Sequence, residues 1–138
     1  MLQKIKTRYE HTIYACYIGY ITQAIVNNFV PLLFLTFVDD FGLSLEQITL
    51  ITTLNFAVQL LVDLLATKFI DYIGYRVAVV GGHILSSVGL CGLAFVPQML
   101  GDAYIGVLIC VVFYAIGGGI MEVLISPIVE ACPTEKKE

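Results

Sequence analysis

The chain has 138 residues, of which 59% are hydrophobic and 13% are charged, and its net charge is −4. A soluble domain normally carries about 25% charged residues, so water is not the main solvent of this chain. Nothing in the sequence is basic enough to indicate a nucleic-acid partner. It also lacks the metal cluster, nucleophile elbow or redox cysteine pair that would indicate an enzyme.

Four long apolar segments predict an all-α integral membrane protein with four transmembrane helices. The helices are predicted at about residues 11–38, 45–70, 76–98 and 103–130. Each segment reaches the roughly 20 residues that are needed to cross a bilayer core of about 30 Å. The alternative is a buried all-α soluble protein, which four such segments with little polar surface between them disfavour.

The basic residues predict the orientation of these helices. All seven stand before helix 1, in or beside the link between helices 2 and 3, or after helix 4, at Lys4, Lys6, Arg8, Lys68, Arg76, Lys136 and Lys137. The other two links carry Asp39, Asp40 and Asp102 and no basic residue. Because basic residues stay on the cytoplasmic side, both ends of the chain are predicted to be cytoplasmic. The protein is then a multi-pass component of the cell (plasma or inner) membrane.

Helix 1 carries a polar face. Tyr20, Gln23 and Asn27 are three and four residues apart, so they share one side of the helix, and Asn28 adjoins them. Pro31 has no amide hydrogen, so the carbonyl of Asn27 loses its helical partner. Transporters often place binding groups at broken helices near the midplane, so these amides are predicted to line a solute site. Hydrogen bonding between helices alone is the alternative.

Helix 2 begins at a capping-box pattern, Ser44 followed by Gln47. Its polar residues then recur every four positions, at Asn55, Gln59, Asp63 and Thr67. Such a series drifts by about 40° per step, so it forms a slanting stripe. Asp63 lies well inside the apolar segment, where a carboxylate is expected to face protein or a water-filled cavity. It is predicted either to be the structural partner of a neighbouring helix or to take part in ion coupling.

The link after helix 2 carries a family signature. It reads Asp71-Tyr72-Ile73-Gly74-Tyr75-Arg76. It resembles the Gly-x-x-x-Asp-Arg-x-Gly-Arg-Arg/Lys signature that the major facilitator superfamily carries between its second and third helices. Asp71, Gly74 and Arg76 match, whereas Thr67, Tyr72 and Tyr75 replace a glycine and two arginines.

In that family the acidic residue contacts the opposite half of the transporter and steadies the outward-open state. The resemblance therefore implies that Asp71, Gly74 and Arg76 form a gating motif. A tight turn at Gly74 beside a solvated pair of Asp71 and Arg76 is the alternative.

Helix 3 is predicted to be a packing helix. Ser86, Gly89 and Gly92 recur at three-residue spacing, which is typical of close helix contact. His83 is expected to be packed or hydrogen-bonded rather than to relay protons. The cysteines show no metal or redox spacing and are expected to be small apolar fillers, at Cys16, Cys91, Cys110 and Cys132.

Helix 4 places a carboxylate behind three glycines. Gly117-Gly118-Gly119 precede Glu122, and Pro127 follows it. A carboxylate inside a membrane span is energetically unfavourable and predicts a function. Its polar residues form a four-residue series at Tyr114, Gly118, Glu122, Ser126 and Glu130.

This helix resembles the fourth helix of fucose-permease-like sugar:proton symporters. In that family a glutamate at this place is implicated in proton coupling, so the resemblance implies the same role for Glu122. Those permeases carry Asn-Asp in helix 1 where this chain has Asn27-Asn28, so the acid of a two-carboxylate scheme is missing from helix 1.

The two buried carboxylates are predicted to lie at one depth. Asp63 stands eight residues before Asp71, and Glu122 stands eight before Glu130. At a rise of about 1.5 Å per residue, each lies about 12 Å from its cytoplasmic helix end. Proton coupling is therefore predicted at Glu122 and Asp63. Solute binding is predicted at Gln23, Asn27, Asn28, Asn55, Gln59 and Tyr114.

These features predict transmembrane transport of a small polar, sugar-like solute by proton-coupled alternating access, driven by a proton gradient without a bound cofactor. Neutral amides suit hydroxylated solutes, and no intramembrane Lys or Arg favours an anion. Residues 1–138 are expected to be an N-terminal fragment, part of the N-terminal six-helix bundle of a major facilitator superfamily fold. Its partners would be the solute, the lipid bilayer and the missing C-terminal half.

Two alternatives remain. A complete four-helix protein could act as an oligomeric small exporter, although such exporters carry their key glutamate in helix 1, which has no acidic residue here. A non-transporting assembly or scaffold subunit would explain the short length but not the carboxylates.

Overall fold

The computed structural model describes residues 2–132, apart from the side chains of residues 2–8, 67 and 71. The described chain is helical throughout, in the order α1 (Leu2–Leu32), α2 (Phe34–Phe41), α3 (Leu45–Ile73), α4 (Tyr75–Gly92), α5 (Val96–Met99) and α6 (Ala103–Ala131). The predicted all-α class is confirmed. Within this part of the chain, helices long and apolar enough to cross a membrane are Tyr9–Phe41, Leu45–Ala66 and Ala103–Ala131.

The third predicted helix, at residues 76–98, is divided in the structure. α4 ends at Gly92 and α5 begins only at Val96. Pro97 has no amide hydrogen to donate to the carbonyl of Leu93, so one bond of the helical ladder is missing there. α4 has 18 residues, a length of about 27 Å, and it is not among the candidate spans. The predicted count of four crossings is therefore not confirmed.

The first predicted helix, at residues 11–38, is also interrupted. α1 begins earlier, at Leu2, and ends at Leu32, and α2 follows after the single turn residue Leu33. The interruption at Leu33 comes two residues after Pro31, which has no amide hydrogen for the ladder of backbone hydrogen bonds. The amide of Leu33 donates to the carbonyl of Val30, and its own carbonyl accepts from Phe37, each over 2.9 Å. Hydrogen bonding thus continues across the break.

Tight turns join the long helices. The predicted capping box at the start of α3 is confirmed: the amide of Gln47 donates to Ser44 Oγ over 3.2 Å, and the amide of Ser44 donates to Gln47 Oε1 over 2.9 Å. Between α3 and α4 the single residue Gly74 makes the turn, with φ at 87°. Residues with a Cβ rarely adopt that conformation, so the turn alone accounts for a glycine at this position.

α6 is the helix on which the others pack. It contacts α1, α3, α4 and α5, and it supplies core side chains that are at most 2% exposed, among them Val107, Val111, Tyr114, Met121 and Ile125. α1 and α4 contact each other little and meet mainly through α6. A groove therefore remains between them.

α4 lies against α6 along the predicted small-residue face. A Cβ on Gly89 would fall 2.8 Å from the carbonyl oxygen of Cys110, and one on Gly92 would fall 3.0 Å from its Sγ. Ser86 is 1% exposed, and its Oγ and amide nitrogen occupy the space that a Cβ of Gly117 would need. The predicted close packing of helix 3 is confirmed.

Candidate functional site

Three helices bring their polar side chains together along one line, here called the polar seam. It consists of Tyr20, Gln23 and Asn27 from α1, Asn55 and Gln59 from α3, and Glu122 and Ser126 from α6. In each helix these residues are three or four positions apart, so each set projects from one side. The four-residue spacing in the sequence therefore predicted most of the members of the seam.

One end of the seam joins α1 to α6. The side-chain Nε2 of Gln23 donates a hydrogen bond to Oε2 of Glu122 over 3.0 Å. One turn further along each helix, the hydroxyl groups of Tyr20 and Ser126 are 2.6 Å apart and share a hydrogen bond. Glu122 and Ser126 are exposed and Gln23 is half-buried. This end of the seam is therefore accessible from the surface of the described helices.

The other end of the seam is a cluster of amides, defined by Asn27, Asn55 and Gln59. Nε2 of Gln59 donates to Oδ1 of Asn27 over 2.7 Å and to Oδ1 of Asn55 over 3.3 Å. Asn55 and Gln59 are each 6% exposed. Both asparagines accept these bonds through their carbonyl oxygens, so their amino groups are not used in them.

Gly118 of α6 completes the amide cluster. A Cβ at this position would lie 3.5 Å from Oδ1 of Asn27 and 3.6 Å from Nε2 of Gln59. The backbone of α6 therefore faces the amides directly. α1 and α6 run antiparallel along the seam. Tyr20, Gln23 and Asn27 face Ser126, Glu122 and Gly118 in turn.

Asp63 stands one turn beyond Gln59 on α3. Its Oδ1 is buried and has no hydrogen-bond partner within the described residues. α3 and α6 run in the same direction, because Gln59 and Val62 face Gly119 whereas the later residues Ala66 and Ile70 pack with Leu124.

This register places the two carboxylates of the seam region at one level. Gln59 lies beside Gly118 and Asn27, and Asp63, Glu122 and Gln23 each follow one turn further toward the predicted cytoplasmic side. The arrangement agrees with the common depth predicted for Asp63 and Glu122.

Two residues that were predicted to bind solute are not brought to the seam. Asn28 is exposed on another side of α1, where its Nδ2 donates to the carbonyl of Ala24 over 2.8 Å. Tyr114 is 2% exposed, and its backbone nitrogen lies against Gly89 of α4. A four-residue series turns by about 40° per step, so Tyr114 faces about 80° away from Glu122.

Tyr20 and Ser126 were not predicted to be site residues, although both stood in the polar series of their helices. Their positions along the two helices relative to Gln23 and Glu122 are the signal that could have identified them. In two antiparallel helices a residue one turn before Gln23 faces a residue one turn after Glu122. The bond between their hydroxyl groups extends the seam toward the cytoplasmic side.

The predicted gating motif lies at the turn between α3 and α4, away from the seam. Arg76 is exposed and lines the groove between α1 and α4 together with His11 and Tyr75. The side chain of Asp71 lies outside the described part of the structure, so its pairing with Arg76 stays a prediction. Lys136 and Lys137 also lie outside the described residues.

The histidine of α4 and the cysteines lie outside the seam. Nδ1 of His83 is 2.9 Å from the carbonyl oxygen of Val79 in its own helix, as expected for a hydrogen-bonded histidine. The cysteines are unbridged, three of them buried and Cys91 exposed. Among the side chains that the structure describes, no group of His, Cys, Asp and Glu could hold a metal ion.

Comparison with known proteins gives one match. The family model of the Major Facilitator Superfamily matches residues 16–137, a range that contains the whole seam. No curated protein and no solved structure matches the chain.

Proposed function

The chain belongs to the Major Facilitator Superfamily, a family of transporters, and on that premise we propose that it moves a small polar solute across the cell membrane by proton-coupled alternating access. The observation that carries the proposal is the polar seam, in which Gln23 binds Glu122 between apolar helices. Polar and ionisable groups within membrane spans are expensive, and they commonly mark a solute or ion path.

Glu122 is the proposed proton carrier. Its described hydrogen-bond partner is the neutral amide of Gln23. A carboxylate with a neutral partner takes up and releases a proton without breaking an ion pair. Asp63, at the same level on α3 and with a buried oxygen that lacks a described partner, is the proposed second acid.

The amide cluster is the proposed solute contact. Asn27 and Asn55 present amino groups, and amide oxygens are present beside them. Such neutral donors and acceptors suit the hydroxyl groups of a sugar-like solute. The described members of the seam include no Lys or Arg that would attract an anion. Asn28 and Tyr114 are left out of this proposed contact.

Alternating access requires two bundles that rock around a shared site near the midplane. We infer that this chain contributes one side of that site and works with a second bundle on the other side. The distribution of basic residues supports a cytoplasmic location for the turn at Gly74 and for both chain ends.

Tracer uptake by vesicles that carry the protein tests this function. The solutes are neutral sugars and organic cations, the latter because Asp63 and Glu122 would also suit a cation. Gln59→Leu, which leaves the oxygens of Asn27 and Asn55 without their donor, is expected to lower uptake of the transported solute about tenfold or more. The loss of one charge-neutral hydrogen-bonding group at a buried polar site supports that magnitude.

The matched control is Gln98→Leu, the same change at an exposed position of α5 outside the seam, which is expected to keep wild-type uptake. Equal uptake by wild type and Gln59→Leu would contradict the assignment of the amide cluster. Preferential uptake of an organic cation would replace the sugar-like solute by a cationic one.

A further inference from the structure

We propose that the hydroxyl pair of Tyr20 and Ser126 relays a proton between Glu122 and the cytoplasmic side. The proposal rests on the proposed function, in which Glu122 carries the proton. The two hydroxyl oxygens are 2.6 Å apart, and Ser126 stands one helical turn after Glu122 on the same side of α6. Both partners lie on described helices, so the bond does not depend on any further element of the bundle.

The two sides of Glu122 along the seam differ in their ability to pass a proton. A hydroxyl oxygen both donates and accepts a hydrogen, and either oxygen of the bond between Tyr20 and Ser126 could be the donor. An amide donates from its nitrogen and accepts at its oxygen, so it passes a proton on only by tautomerising. The amide cluster lies on the other side of Glu122. The seam therefore favours proton movement from Glu122 toward the hydroxyl pair.

The bond from Gln23 leaves one oxygen of Glu122 for the proton. Nε2 of Gln23 donates to Oε2, so Oε1 can take up and give off a proton without breaking that bond. The bond also holds the carboxyl group at the side of α1 that carries Tyr20, because Tyr20 and Gln23 are three residues apart. The acid and the hydroxyl pair thus lie along one line between α1 and α6.

The relay moves one proton and leaves both hydroxyl groups intact. Protonated Glu122 donates its proton to Oγ of Ser126, and the proton of Ser126 passes to Oη of Tyr20 at the same time. The proton of Tyr20 then passes to a water molecule on the cytoplasmic side, which becomes hydronium. Each O–H bond that breaks in a hydroxyl group is replaced by a new one, and no electron is transferred. Rotation of the two hydroxyl groups restores the starting arrangement.

Transport by vesicles that carry the protein separates the relay from solute movement. Proton-driven net uptake requires Glu122 to release its proton in every cycle, whereas exchange of labelled for unlabelled solute at equal pH does not. Tyr20→Phe and Ser126→Ala are each expected to lower the ratio of net uptake to exchange about tenfold. This is less than the usual contribution of a positioned proton-transfer group, because water replaces the missing hydroxyl in part. Ser126→Thr keeps the hydroxyl group and is expected to keep the wild-type ratio.

Matched controls make the same changes outside the seam. Tyr14→Phe alters a tyrosine of α1 that is 65% exposed and stands about 120° around the helix from Tyr20. Ser87→Ala alters an exposed serine of α4. Both variants are expected to keep the wild-type ratio of net uptake to exchange.

The result that overturns the relay is distinct from the result that overturns the proposed function. A wild-type ratio in Tyr20→Phe and Ser126→Ala, with accumulation lost in Glu122→Gln, would overturn the relay alone, because water would then serve Glu122 directly. An equal fall of net uptake and exchange would also overturn the relay, since it would show that the bond is only structural. A wild type without proton-driven uptake would overturn the proposed function and the relay with it.

Discussion

Gln23 of α1 donates a hydrogen bond to Glu122 of α6 over 3.0 Å. This contact places the only acidic residue of the apolar part of α6 beside a neutral amide. The neighbouring bond between Tyr20 and Ser126 joins the same two helices one turn away. The two bonds make the α1–α6 contact depend on polar groups as well as on apolar packing.

The contact between Gln23 and Glu122 is expected to be measurable as a coupling free energy. Gln23→Leu, Glu122→Leu and the double variant are compared in reversible unfolding experiments in mixed micelles. Interhelical hydrogen bonds in membrane proteins contribute about 0.6 kcal/mol on average and up to about 1.7 kcal/mol, so a coupling within that range is expected. The pair Gln98→Leu and Glu122→Leu serves as control and should be additive within about 0.5 kcal/mol. Full additivity of the first pair would show that the bond does not hold α1 to α6.

Adjacent glycines of α6 are expected to differ sharply in their tolerance of alanine. A Cβ on Gly117 would collide with Ser86 and with the backbone oxygen of Gly82, whereas the nearest atom to a Cβ on Gly118 is 3.4 Å away. Gly117→Ala is expected to lower the free energy of unfolding by about 1–3 kcal/mol through overpacking. Gly118→Ala is expected to be neutral or stabilising, because alanine is favoured over glycine in helices by about 1 kcal/mol.

Thermal unfolding in detergent, followed by circular dichroism, distinguishes the two glycine variants. If Gly118→Ala destabilises the protein as much as Gly117→Ala, then the close approach of α4 to α6 at Gly117 is not the cause.

The capping box at Ser44 and Gln47 is expected to stabilise the start of α3. Ser44→Ala removes the oxygen that accepts from the amide of Gln47, and loss of such a cap lowers the free energy of unfolding by about 1 kcal/mol. Ser44→Asp keeps an acceptor at the cap and should retain most of the stability. Equal losses in the two variants, measured in the same unfolding assay, would argue against the cap.

Chemical labelling tests the orientation of the protein in the membrane. Single cysteines are placed at Asp40 and at Tyr72, which is 96% exposed, in a Cys91→Ser background. The basic residues predict that Asp40 lies outside and Tyr72 inside. A membrane-impermeant maleimide is therefore expected to label Asp40→Cys in intact cells and Tyr72→Cys only after the membrane has been opened. The reverse pattern would invert the topology.

Much of this architecture was accessible from sequence because it depends on local chemistry. Apolar length predicted where α3 and α6 lie, and the spacing of Ser44 and Gln47 predicted the cap. The divided helices were harder, because Pro31 and Pro97 lie inside apolar runs whose hydropathy continues across the break. Periodicity alone does not indicate whether a proline kinks a helix or ends it.

The seam was predicted in its membership but not in its contacts. Four-residue spacing identified Gln23, Asn27, Gln59 and Glu122, yet it could not state that Gln59 donates to Asn27 or that Gln23 donates to Glu122. Those pairings depend on the rotation of each helix about its axis, which packing on α6 sets. The same rotation turns Tyr114 toward α4, where the sequence had predicted a solute contact.

Proton-driven uptake in vesicles that carry the protein tests the central claim most directly. Wild type is compared with Glu122→Gln and with Glu130→Gln, which removes a carboxylate from the same helix outside the seam. An inward proton gradient is expected to drive solute accumulation in wild type and in Glu130→Gln. Glu122→Gln should lose that accumulation and retain only movement of the solute down its own concentration gradient. Undiminished proton-driven accumulation by Glu122→Gln would contradict the account.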